Sequence, residues 1–141
     1  MATSAHTPVP RPVVGVDAVV TAAYALGALS LAGEAAVHVQ QFADLFHGVR
    51  WIGPLFLANA VAIVVVIAGL ALPRTRQLAA LAGVVISALA LGSLVVSYGH
   101  GLFGWQEAGF RTPVAVAVIA EVGAVLLLTA ALTGDALLRE R

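Results

Sequence analysis

The run WIGPLFLANAVAIVVVIAGLAL, residues 51–72, is uncharged from end to end, and Asn59 is its only amide side chain. As an α-helix it would measure roughly 33 Å at ~1.5 Å per residue, enough to cross a ~30 Å hydrocarbon layer. Three runs of similar character surround it, at residues 13–39, 78–98 and 113–134. Pro73 closes the second run, and Pro54 and Pro113 fall in first turns, where a missing N–H costs nothing. Arg11 followed by the first run has the outline of a signal peptide, but the run is too long for a simple apolar core region and reads as an uncleaved span.

Composition agrees with that reading. Of 141 residues, 61% are hydrophobic and 10% charged, against about 25% charged in an ordinary soluble domain. A soluble fold this small cannot hide so much apolar surface. The expected class is an all-α integral membrane protein with four transmembrane helices. Short connections make consecutive helices antiparallel neighbours, in an up-down-up-down bundle. Residues 1–12, rich in proline and small polar side chains, read as a disordered cytoplasmic tail. The membrane domain covers 13–134, and 135–141 form a short charged cytoplasmic tail.

Arginine placement sets the orientation. Arg11, Arg74, Arg76, Arg139 and Arg141 fall on one side of the four runs, Arg50 and Arg111 on the other. The positive-inside bias then makes both termini cytoplasmic, in the cell membrane, with the loops around 40–50 and 99–112 outside. Phe42, Phe46, Trp51, Tyr98, Phe103, Trp105 and Phe110 cluster at those loops, as headgroup-level aromatics do.

Several function classes are excluded. A formal net charge of zero offers no basic face to nucleic acid. There is no cysteine and no methionine beyond Met1, so thiolate and thioether sites are absent. No phosphate-cradling loop, dinucleotide fingerprint or nucleophile elbow occurs, so neither a nucleotide cofactor nor a catalytic residue is expected. The glycine-rich stretch 99–104 reads as a flexible loop.

What remains is a small set of polar side chains. Glu34 and Glu121 lie inside apolar runs that hold no lysine or arginine. A charge at such a position costs roughly 2.5–3.5 kcal/mol on insertion scales, which makes each a functional-site hypothesis. Tyr24, Gly27, Ser30, Glu34, His38 and Gln41 follow one another at helical spacing and form an inward stripe on the first helix. Ser93, Ser97 and His100 repeat that spacing on the third, and Asn59 and Glu121 stand alone on the second and fourth. Depth places Glu34, His38, Asn59, Ser93, Ser97 and Glu121 in one polar cluster in the outer half, while the opposite half shows no comparable set. His38 to Asn59 and His100 to Glu121 share one separation, a hint of internal duplication.

Three readings of the cluster stand side by side. In the first, Glu121 pairs with Asn59 and Glu34 with His38. The protein is then a non-enzymatic accessory or binding component in a homo-oligomer or with other membrane subunits. In the second, Glu34 and His38 bind a metal ion, with His47, His100 or Glu107 completing the shell, or His38 and His100 hold a haem. The third makes the glutamates members of a proton or ion path.

Overall fold

A computed structural model of the chain describes residues 15–140. The expected disordered tail over 1–12 lies outside the described residues. The elements are α1 (Val16–Gln41), a π-helical turn (Phe42–Phe46), α2 (Ile52–Ala71), α3 (Arg76–Gly99) and α4 (Thr112–Arg139). All four α-helices are long and apolar enough to cross a membrane. No strand forms among the described residues; a single bridge joins Leu102 and Trp105.

Each helix packs beside its neighbours in the chain, and α1 and α4 close the ring with the most extensive contact of all. α1 and α3 face each other across the bundle and touch at few points. The end that carries the two longer loops is the loop end; the end with the 72–75 connection and the start of α1 is the turn end. At the turn end α2 stops at Pro73. Its freed carbonyls are taken up by the next element: Thr75 Oγ1 donates to Gly69 O at 2.8 Å, and Arg76 Nε to Leu70 O at 3.1 Å. α4 runs on to Arg139, through residues expected in the C-terminal tail. With Asp135 on its inner side the last turns still have something to pack against.

Heptad-like spacing puts the core in layers. Tyr24, Leu31 and His38 succeed one another on the inner face of α1; Glu121, Leu128 and Asp135 do so on α4. The middle layer, Leu31, Ile63 and Leu128, is 0% exposed and wholly apolar. Around this layer the helices meet in a close fit. Leu128 supplies it: a Cβ on Gly27 would stand 2.5 Å from Leu128 Cδ2, and one on Gly83 would stand 2.8 Å from Leu128 Cδ1. The leucine is a knob between two bare backbones. Outward faces carry exposed Val19, Leu29, Val64, Leu78, Ile119 and Leu126.

Below that layer the structure departs from expectation. The turn end does hold polar contacts inside the bundle. Tyr24 is 7% exposed and its hydroxyl donates to Asp135 Oδ2 at 2.6 Å, while Gln77 Nε2 donates to the same oxygen at 3.3 Å. Arg76 lies over the Tyr24 ring, 5.5 Å from its centroid. Asp135, assigned from the sequence to the charged C-terminal tail, is half-buried and anchors this second group.

Candidate functional site

Above the dry layer, the four helices each bring one polar side chain to a common centre. Glu34 from α1 is 0% exposed. Its Oε1 accepts from Asn59 Nδ2 of α2 at 3.1 Å, and its Oε2 accepts from Ser87 Oγ of α3 at 2.6 Å. Glu121 from α4 is 3% exposed, and its Oε2 is shut off from solvent without a hydrogen-bond partner. His38 sits one turn beyond Glu34, its Nδ1 2.9 Å from the Glu34 backbone carbonyl. A carbonyl only accepts, so Nδ1 carries a proton, and in the neutral ring Nε2 keeps a lone pair.

Glu34, His38 and Glu121 each offer a donor atom, and these atoms lie within 4.8 Å of one another. Ligands ~2.1 Å from a tetrahedral ion stand ~3.4 Å apart, so the widest pair would close by about 1.4 Å, a movement side-chain torsions supply. Two carboxylates this close repel each other; a proton or a cation between them removes the repulsion. Asn59 and Ser87 hold the Glu34 carboxylate from behind, as outer-shell partners hold a ligating group.

This pairing is not the one read from sequence. Asn59 serves Glu34 rather than Glu121, and the contact between His38 and Glu34 runs through the backbone carbonyl. Ser87, absent from the cluster read in the sequence, is a full member of the group through its bond to Glu34. The outer members of the expected set lie elsewhere. Ser97 is buried, but its Oγ accepts the Glu107 backbone N–H at 3.2 Å and so ties down the loop. Ser93 is exposed and lines the neighbouring cavity.

The remaining metal-ligand candidates are not brought to the centre. His47 is exposed in the loop after the π-helical turn, Nδ1 3.2 Å from the Ala43 carbonyl. His100 is exposed where α3 ends, its backbone N–H bonded to Val96 O. A haem between His38 and His100 would need both rings in the bundle, and only His38 is there. Glu107 is buried, yet Arg111 claims both its oxygens, at 3.1 and 3.0 Å, and reaches Gln41 Oε1 at 3.3 Å. That clasp joins the second loop to α1.

Beside the centre, towards the loop end, lies a cavity of about 270 Å³, reached by His38 and Glu121 and lined mostly by apolar side chains. Its roof is built. Leu102 and Trp105 exchange backbone hydrogen bonds of 2.6 and 2.8 Å around Phe103 and Gly104, whose φ values are 48° and 83°. Positive φ at both central residues is the tight mirror-image hairpin turn, so this part of the glycine-rich stretch is a defined support rather than a flexible loop.

No protein family, curated protein or solved structure matches the chain.

Proposed function

We propose that this is a small multi-pass protein of the cell membrane, both termini cytoplasmic, that binds a divalent transition-metal ion at Glu34, His38 and Glu121. The single observation that carries the reading is a three-residue donor group, all buried, whose Glu121 Oε2 has no partner. Carboxylate and imidazole together suit zinc, ferrous iron or cupric copper. Three protein ligands leave one or more coordination positions open. In this reading the protein acts as a non-enzymatic binding component, in a homo-oligomer or with other membrane subunits. The apolar layer of Leu31, Ile63 and Leu128 separates this centre from the Tyr24–Asp135 group. That favours holding an ion over conducting one.

The test is a cobalt(II) titration of chelator-stripped protein in detergent, read by the visible absorption of the bound ion. One ion per chain is expected. His38→Gln and Glu121→Gln should each weaken binding at least tenfold, and Asn59→Leu should do so by about 10–100-fold through the loss of outer-shell support. Equal binding by wild type and by the Glu34→Gln/Glu121→Gln double variant would end the proposal.

A further inference from the structure

The cavity next to the centre holds a second pair of unmet demands, at opposite ends. Trp105 Nε1 is closed off from solvent and has no acceptor. Its ring is held on two sides. The backbone is fixed by the Leu102–Trp105 pair, and Phe46 meets the ring edge-on, centroids 5.0 Å apart at 82°. An indole only donates, so whatever satisfies it must present an acceptor. Glu121 lies deeper, roughly 13 Å along α4 from Thr112. There Glu121 Oε2 lacks a partner, and with Glu121 ionised and the His38 ring neutral that end can accept from a donor. Buried polar groups are normally satisfied, and two unsatisfied ones around a single space point to what belongs in it.

The walls narrow the class further. Trp105, Phe46, Phe56 and His38 form a continuous row of rings, with neighbouring centroids at 5.0, 4.5 and 4.8 Å. Such a wall favours an aromatic guest. An apolar cavity of about 150 Å³ takes a benzene ring, so about 270 Å³ leaves room for two fused rings. Leu55 and Leu89 line the cavity and are 48% and 65% exposed on the outer surface, between α2 and α3, the least closely packed neighbours in the ring. Access is therefore from the side of the bundle, where lipid would lie.

We infer that this cavity binds a membrane-soluble aromatic alcohol of the quinol type, with one ring oxygen accepting from Trp105 Nε1 and a hydroxyl at the far end donating to Glu121 or His38. The site shares Glu121 and His38 with the proposed metal centre but does not rest on it.

The experiment uses the full chain carrying Trp51→Phe, in lipid nanodiscs with chelator present, so that ion binding plays no part. Trp51 is exposed and does not line the cavity, which leaves Trp105 as the sole indole. Its ¹⁵N–¹H signal is followed while three probes are added. They are 4-methoxy-1-naphthol, with acceptor and donor; 1,4-dimethoxynaphthalene, with acceptors alone; and 1-methylnaphthalene, with neither. The naphthol should shift the indole proton downfield and saturate. The dimethoxy compound should do the same at about tenfold weaker affinity, the worth of one hydrogen bond. The hydrocarbon should leave the proton without a downfield shift. Trp105→Phe, which keeps a ring on Phe46, should bind the naphthol about tenfold more weakly by calorimetry and the hydrocarbon unchanged. Absence of a saturable shift, or three probes behaving alike, overturns the inference.

Discussion

Glu34 and Glu121 look alike in the sequence, one acidic residue in each of two apolar runs, and the structure gives them opposite surroundings. Both oxygens of Glu34 are engaged, by Asn59 and Ser87, whereas Glu121 Oε2 has no partner. Replacement by glutamine keeps the shape and exchanges one oxygen for an NH₂. At position 34 that NH₂ must face one of two existing donors, and the mispaired contact should cost about 1–2 kcal/mol. At position 121 no bond is lost and a buried potential charge is removed, so stability should hold or rise. Sequence depth alone suggests the milder outcome at Glu34, which is nearer the helix end; its complete burial reverses the order. Thermal unfolding of the two variants in one detergent decides the matter. A larger loss for Glu121→Gln than for Glu34→Gln would contradict the hydrogen-bond assignment. Cobalt affinity supplies the second axis, since both variants lose a ligand of the proposed centre whatever their stability.

Between helices, the fit rests on Leu128 and the two glycines that receive it. Leu128→Ala should destabilise by about 2–5 kcal/mol, because a fully buried side chain leaves a hole. Gly27→Ala should cost about 1–3 kcal/mol, because the new methyl meets Leu128, which Gly83 and Leu31 prevent from stepping aside. Combined, the two changes should cost less than their sum by at least ~1 kcal/mol, since the alanine methyl occupies part of the space the leucine vacates. Strict additivity in a double-mutant cycle would show that the knob and its socket do not meet. At this scale the sequence was readable to the extent that one residue type has one meaning. Long uncharged runs bounded by proline and arginine specify spans, and Glu34 and Glu121 stand out against them. Ser87 does not, because a serine in a small-residue position serves packing and hydrogen bonding equally well. Asn59 could reach either glutamate at the same depth; which one it meets depends on how far α2 is rotated about its axis, and no residue spacing within a single helix fixes that. Trp105 reads as a headgroup-level ring because it follows a span, and only the turn at Phe103–Gly104 folds it back over the bundle.

For the molecule as a whole, four helices long and apolar enough to cross a membrane would leave two ways to sit in a bilayer, and the proposed orientation rests on the arginines. Among the described residues, Arg74, Arg76 and Arg139 belong to the turn end and Arg50 and Arg111 to the loop end. The loop-end pair is further occupied, Arg111 by Glu107 and Gln41, Arg50 by the ring of Trp51 at 5.2 Å. Lysine and arginine near short loops tend to be retained on the cytoplasmic side, so the orientation proposed above would put the Glu34–His38–Glu121 centre and its cavity in the outer half of the membrane. A metal ion or aromatic alcohol would then reach the protein from outside or from the outer leaflet. The chain lacks cysteine, so single cysteines report position without a background. Thr75 and Gln106 are both exposed, at opposite ends of the bundle. In intact cells, a membrane-impermeant maleimide should label Gln106→Cys and spare Thr75→Cys until the cells are permeabilised. The reverse pattern would turn the protein over and put the centre in the inner half, so that its ligands would have to come from the cytoplasm; labelling of both in intact cells would mean that the bundle does not keep one orientation.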